Sequence, residues 1–379
     1  MKARFVFVVI LLFLLAAIAA VAESPAPASA DWRERLREAI VRATSQNPEL
    51  RALEARTEAA RHRVPQATAL PDPELEVGIK DIPPSNFSLS RDDFTMVPMV
   101  AARQKFPSTG KRGRQKLSAE AGLEAAAAMR QEDVIRVAAE VADSFFAIAE
   151  LDARIAILER SRERLKRVAA SATERYRVGK GAQADVLRAN LETTSLEEKL
   201  STLEADRRSE AARFDALQAL PANALVPAVE LPPAESSVAS REDLLREALE
   251  RSPAVAVAAA EVRKAGEELE LARLERRPDF TAMAYYGRRQ NFEDLAGASV
   301  SFNLPFVQSK RLFEKRAEKE AELSGARADL EAVRNDIRRR IEQAYADLER
   351  NGFQLRLYRD SILPQAETNY RAAAEAYAV

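Results

Sequence analysis

From Ser108 to Leu220 the chain carries no proline, although Pro107 and Pro221 bracket that stretch. Proline is the strongest breaker of a helix interior. Glycine, the next strongest, occurs between Lys111 and Leu220 only at Gly113, Gly122, Gly179 and Gly181. Apolar residues fall at Val134, Ala138, Val141, Phe145, Ile148, Leu151, Ile155 and Leu158, in steps of three and four. That spacing is one face of a helix. A single helix from Lys111 to Val178 is therefore predicted, roughly 100 Å long at about 1.5 Å per residue. A globular domain has no use for such a length, whereas a wall or tube of packed helices does.

The stretch ATERYRVGKGAQADVL, Ala172 to Leu187, interrupts this pattern. Glycine just past a helix end permits the left-handed conformation that satisfies the last carbonyls. Asp185 falls near the start of the next helix, where the dipole favours a carboxylate. Leu187 and Leu191, then Leu196, Leu200 and Leu203, resume the apolar spacing. Gly179 and Gly181 thus mark the tip of an antiparallel helical hairpin.

The plan occurs twice. Asn47 to Leu75 aligns without a gap on Ser252 to Phe280, placing Pro48 on Pro253, Ala55 on Ala260, Ala60 on Ala265 and Pro73 on Pro278. Further on, FPSTGKR faces LPFVQSKR, VADSFFAI faces IEQAYADL, and Tyr176 faces Tyr377. A repeat of this kind implies one supersecondary plan used twice: helix, extended pair, very long helix, tip. The expected organisation is residues 31–220 as the first repeat, 221–242 as a linker and 243–379 as the second. The second is expected to be incomplete, with Tyr377 at the edge of an unfinished tip.

Each repeat holds two strand-like segments: Glu74 to Ile79 and Asp93 to Phe106, then Asp279 to Gly287 and Gly297 to Phe306. Val300, Phe302 and Leu304 alternate with Ser299, Ser301 and Asn303, so one face is apolar and the other polar. A half-buried sheet in a soluble domain would show the same alternation. In a membrane, four strands cannot close a barrel, which needs about eight or more. An open sheet edge is also excluded from lipid. Strands that enter a membrane here must be pooled from several chains; three chains would supply twelve strands.

The N-terminus has the layout of a secretory signal over residues 1–30: Lys2 and Arg4, an apolar run from Phe5 to about Val21, then small residues at Ala28 and Ala30 before Asp31. A membrane-anchoring helix is the competing interpretation of the same run. The chain has no cysteine and one histidine, His62, between Arg61 and Arg63 on a polar stretch. Thiolate metal sites, disulfides and a cysteine nucleophile are thereby excluded. With 58 Lys+Arg against 59 Asp+Glu, there is no electrostatic case for nucleic acid. No metal triad or nucleophile elbow is recognisable, and GKGAQAD lacks the spacing of a phosphate loop. An enzyme is not expected, and neither is a cofactor or a resident metal.

The segments AIVRATSQNPELRALEAR, LPDPEL through PSTGKRGR and YRVGKGAQADVLRANLE, together with the duplicated plan, resemble the TolC-like outer-membrane factor family. The resemblance covers nearly all of the chain after about Arg33. It implies a mainly α fold of long antiparallel helical hairpins forming an α-barrel, with four transmembrane strands per protomer. It also implies a homotrimer that closes a 12-stranded β-barrel in outer-membrane lipid and continues as a helical duct through the periplasm of a Gram-negative bacterium. Partners implied are a periplasmic adaptor (membrane fusion) protein and an inner-membrane efflux transporter. Carried over, Tyr176, Val178, Gly179, Ala182, Asp185 and Leu187 would lie at the adaptor-docking tip. Ala182 departs from the serine or threonine common there, and Asp185 has the second interpretation of a helix-start carboxylate. The segment from Leu70 to Gly113 looks most like the heavy-metal and cation efflux branch. A soluble periplasmic coiled-coil scaffold or adaptor is the alternative from another class.

Overall fold

In the computed structural model the described residues are 29–80, 97–221, 240–289 and 292–378. The expected export signal falls almost entirely outside them, as do most of the expected linker and residues 81–96. The elements are α1 (Ser29–Gln46), α2 (Pro48–Thr68), β1 (Glu74–Lys80), β2 (Val97–Phe106), α3 (Lys111–Arg177), α4 (Gln183–Leu217), α5 (Arg241–Arg251), α6 (Pro253–Leu274), β3 (Phe280–Gly287), β4 (Leu295–Phe302), α7 (Ser309–Leu357) and α8 (Leu363–Ala378). The long helix is thus 67 residues, one shorter than expected. Two compact units are drawn from this chain, one from the ranges Met1–Asn47 and Arg136–Glu235, the other from Pro48–Ile135 and Ser236–Val379.

In the first unit α1 packs with the later part of α3 and with α4. The predicted stripe on α3 is buried at Val141, Phe145 and Ile148, with Val137 and Ser144 closing the seam. Phe145 lies 6.2 Å from Phe214 of α4 between ring centroids, and Phe146 lies 5.9 Å from Trp32 of α1. Polar groups in this core bond both within and across helices. Asn47 Nδ2 donates to the Leu217 carbonyl, Gln218 Nε2 donates to the Phe214 carbonyl, and Arg207 of α4 pairs with Asp152 of α3 at 2.5 Å.

In the second unit α2, the start of α3, α6 and α7 lie side by side in that order. Thr57 Oγ1 of α2 donates to the Ala126 carbonyl of α3, Arg114 of α3 pairs with Glu267 of α6 at 2.7 Å, and Lys319 of α7 pairs with Glu268 of α6 at 3.0 Å. Small residues line the seams, among them Ala60, Ala121, Ala125, Ala260 and Ala272, all buried. They let backbones approach closely, so charged residues stay on the open faces. Ser240 caps α5: its hydroxyl oxygen accepts from the Asp243 N–H and its O–H donates to the Asp243 carboxylate.

The second long helix is interrupted. A π-turn at Tyr358–Ile362 separates α7 from α8. Pro364 supplies the reason: it has no N–H to offer and its ring crowds the carbonyl four residues earlier. The Leu363 N–H bonds instead to the Tyr358 carbonyl, so one extra residue is taken into the turn.

The four strands form one antiparallel sheet in the order β1-β2-β3-β4. The boundaries shift from those expected. β4 begins at Leu295 and stops at Phe302, because Pro305 opens a 3-10 turn over Pro305–Gln308. Asp279 sits just before β3, where its N–H donates to Asn303 Oδ1 and its carbonyl accepts from the Asn303 N–H.

Candidate functional site

The registers fix which residues share a face. Phe106, Phe280 and Phe302 form one row, Val100, Tyr286 and Ala296 another, and Leu75, Ala102, Ala284 and Ala298 a third. Every second residue belongs to the same face. One face therefore carries Leu75, Val77, Ile79, Val100, Phe106, Phe280, Tyr286, Val300 and Phe302 among alanines, with Pro98 and Gln104 also on it. The opposite face carries Glu74, Glu76, Lys80, Arg103, Lys105, Thr281, Ser299 and Ser301, together with Met283, Tyr285, Leu295 and the buried Val97, Met99 and Ala101.

Although apolar, the first face lies open. Leu75, Val77, Val300 and Phe302 are 72%, 73%, 57% and 60% exposed. From Ala296 to Phe302 it runs roughly 20 Å at about 3.4 Å per residue, near the ~25 Å apolar band of outer-membrane barrels. Aromatic residues mark both ends of it. At the helix-linked end Phe106 stacks on Phe280 with centroids 4.9 Å apart, and Phe302 follows at 6.3 Å. At the hairpin-loop end stands Tyr286, whose hydroxyl donates to Asp294. The polar face is knit by ions: Arg103 reaches Glu76 at 3.0 Å and Glu74 at 3.6 Å.

Where the sheet meets the helices, Asp279 is the centre of a second cluster. Its carboxylate accepts from Lys111 Nζ at 2.7 Å and from the Ser108 N–H at 2.8 Å, with Lys105 at 3.9 Å. Lys111 Nζ also donates to the Arg277 carbonyl. Burial pushes the Asp279 carboxyl up. Hydrogen bonds from Lys111 and Ser108, and the charges of Lys111 and Lys105, outweigh this and hold it below the ordinary aspartate value.

At the hairpin tip the structure brings Tyr176, Val178, Gly179, Ala182, Asp185 and Leu187 onto one reversal. Gly179 adopts φ +75°. The Lys180 N–H bonds to the Arg175 carbonyl at 2.8 Å and the Gly179 N–H to the Tyr176 carbonyl at 3.0 Å, which is a Schellman motif. Gly181 makes a close approach of a different kind: a Cβ there would sit 3.1 Å from the Tyr176 backbone nitrogen. Ala182 is the N-cap of α4 and has no side-chain cap bond, while Asp185 occupies the first turn. Tyr176, Val178, Leu187 and Leu191 are all exposed. The last two resume the apolar spacing after the reversal without being covered by the facing helix. The buried residues nearest this end are Ala172 and Ala189, so a seam of alanines leaves both leucines outside. Tyr377 lies in α8.

His62 is an exposed side chain beside Glu58, at 3.3 Å. Among the described residues no cluster of three or more metal-binding side chains occurs, and no helix is long and apolar enough to cross a membrane.

A family model described as outer membrane efflux protein matches residues 39–219 and 244–379. The chain belongs to that family. Solved structures agree in fold. An outer-membrane channel, OprN, superposes with a TM-score of 0.72 at 17% identity, covering 93% of this chain and 88% of its own. The outer-membrane protein VceC of Vibrio cholerae gives 0.72 at 18%, covering 91% and 86%. The CmeC outer-membrane channel of Campylobacter jejuni gives 0.73 at 12%, covering 92% and 77%. Curated proteins return no match. Family membership places this efflux protein in the outer membrane, gives it an efflux channel role and agrees with the expectation that it is not an enzyme.

The sequence missed two parts of the site, the Phe106–Phe280–Phe302 row and the Lys111–Asp279 cluster. The signal for the first was present, since each phenylalanine is the terminal residue of its strand at the helix-linked end. The second had no local signal.

Proposed function

We propose that this efflux protein works as a homotrimer in which three four-stranded sheets close one 12-stranded barrel in the outer membrane. The observation that carries this is the sheet itself, with an exposed, mainly apolar face, an opposite face that holds the charges, and edges on β1 and β4 that pair with no further strand among the described residues. Such edges cannot remain open in lipid, and a head-to-tail repeat of β4 on β1 closes them. The charged face then lines a water-filled lumen, and the apolar face meets lipid between two aromatic ends.

In this reading both strand hairpins point outward and the helix-linked ends point to the periplasm, where the helices form the wall of a passive duct. The α3–α4 tip docks a periplasmic adaptor, which couples the duct to an inner-membrane transporter. The chain does no chemistry on its cargo. An export signal over residues 1–30 and two structural repeats, 31–220 and 243–379, belong to the same proposal. Fractionation of expressing cells tests it, followed by molar-mass measurement of the extracted protein in detergent. A membrane-bound species of three copies is expected. A soluble periplasmic monomer would overturn the proposal in favour of a coiled-coil scaffold.

A further inference from the structure

On the charged face of the sheet, Tyr285 of β3 stands directly opposite Gly297 of β4. The tyrosine ring occupies the space a side chain at 297 would need. A Cβ there would lie 2.5 Å from the ring Cζ and from the hydroxyl oxygen, closer than any packed pair of atoms. From the other side Lys80 of β1 brings Nζ to 5.3 Å from the ring centroid, within cation–π range. Ala101, the β2 residue of the same row, is buried. The ring is therefore held against the wall, over bare backbone. A neighbouring row repeats the device, since a Cβ on Gly287 would lie 2.6 Å from Val97 Cγ1.

We propose that Gly297 is a seat for Tyr285 that keeps the outer part of the lumen clear. The inference rests on the barrel reading, because only in a closed barrel does this face enclose a pore. Three copies of Tyr285 would then share one level, near the hairpin-loop end. Seated, each ring lies along the wall. Unseated, each projects into the passage, and solute size is limited there by pore diameter. The required residue is glycine because the occupant of the space is an aromatic ring, not because of backbone strain. Any Cβ displaces the mobile end of Tyr285, so the cost falls on the pore rather than on the sheet.

The chain has no cysteine, so a single introduced thiol reports access from outside. Ser301→Cys places it on the charged face, inward of Tyr285, and Val300→Cys places it on the apolar face. A membrane-impermeant maleimide is added to intact cells, and the labelling rate is read for each. Labelling of S301C but not V300C is expected; equal labelling would overturn the barrel reading and this inference together. In the S301C background, Gly297→Val is expected to slow labelling several-fold, and Tyr285→Ala in the same chain to restore it. An unchanged rate in G297V, or a slowed rate that Y285A does not restore, would overturn the seat while leaving the barrel intact.

Discussion

The Asp279 carboxylate and the Lys111 ammonium meet at 2.7 Å across 168 residues of sequence, and both side chains are nearly buried, at 14% and 10% exposure. They tie the first residue of α3 to the approach of β3, so one ion pair fixes how helix and sheet join in the second unit. Removing one partner strands the other charge in a poorly solvated place. Lys111→Met is expected to destabilise by about 2–3 kcal/mol, and Lys111→Met with Asp279→Leu by less than the single change. Thermal unfolding in detergent, followed by circular dichroism, measures both.

The same pair predicts a pH dependence. Because the folded carboxyl of Asp279 is held below its ordinary value, its contribution is complete well above the unfolded aspartate range of about 4. It is lost as the pH falls through that range and then through the lower folded value. Acid titration of the melting temperature should therefore show a loss in the wild type below about pH 4 to 5. Asp279→Asn should be less stable at neutral pH and show a shallower acid loss.

Two helix ends in the first unit form the same motif with different residues. Gly179 closes α3 at φ +75°, whereas Ala219 closes α4 at φ +57°, with the Leu220 N–H on the Asp215 carbonyl at 2.9 Å. A left-handed alanine costs about 1–2 kcal/mol that glycine avoids, offset in part by the flexibility of glycine when unfolded. Ala219→Gly is expected to raise stability by about 0.5–1 kcal/mol, and Gly179→Ala to lower it by a similar amount. Differential scanning calorimetry of the two variants decides whether the signs are opposite.

At the exposed tip, Asp185 sits in the first turn of α4 beside an N-cap that lacks a side-chain acceptor. A carboxylate there adds a few tenths of a kcal/mol to the helix, up to about 1. Asp185→Lys is expected to weaken capture of the adaptor in a crosslinking assay far more than it lowers the melting temperature. Equal losses would assign Asp185 to the helix start alone.

These sites differ in how readable they were. The long helix and its reversal were legible because their signals are local: no proline, a close pair of glycines at the reversal, and apolar residues every three or four positions. The exposure of Leu187 and Leu191 was not legible, because periodicity marks a face without showing whether a neighbour covers it. In β2, apolar Val97, Met99 and Ala101 alternate with apolar Val100 and Ala102, so no face stood out until the register joined them to Leu75, Tyr286 and Val300. The Lys111–Asp279 pair and the Tyr285–Gly297 seat depend on strand pairing and on distant residues. No short window of sequence contains either.

The sheet's two faces make the strongest contrast available by mutation. Ser299 and Val300 are adjacent in β4 and point to opposite sides. Arginine at a lipid-facing site near the middle of the apolar band costs about 2–4 kcal/mol, and far less in a wet lumen. Val300→Arg is therefore expected to reduce the amount of heat-resistant oligomer recovered from outer membranes. Ser299→Arg should leave that amount near the wild-type level, its guanidinium lying within reach of water and close to the Arg103–Met283 row. If both variants assemble equally well, neither face contacts lipid, and the exposed apolar residues must be covered by protein. If S299R alone fails, the two faces are assigned the wrong way round, and the charged face cannot be the lumen.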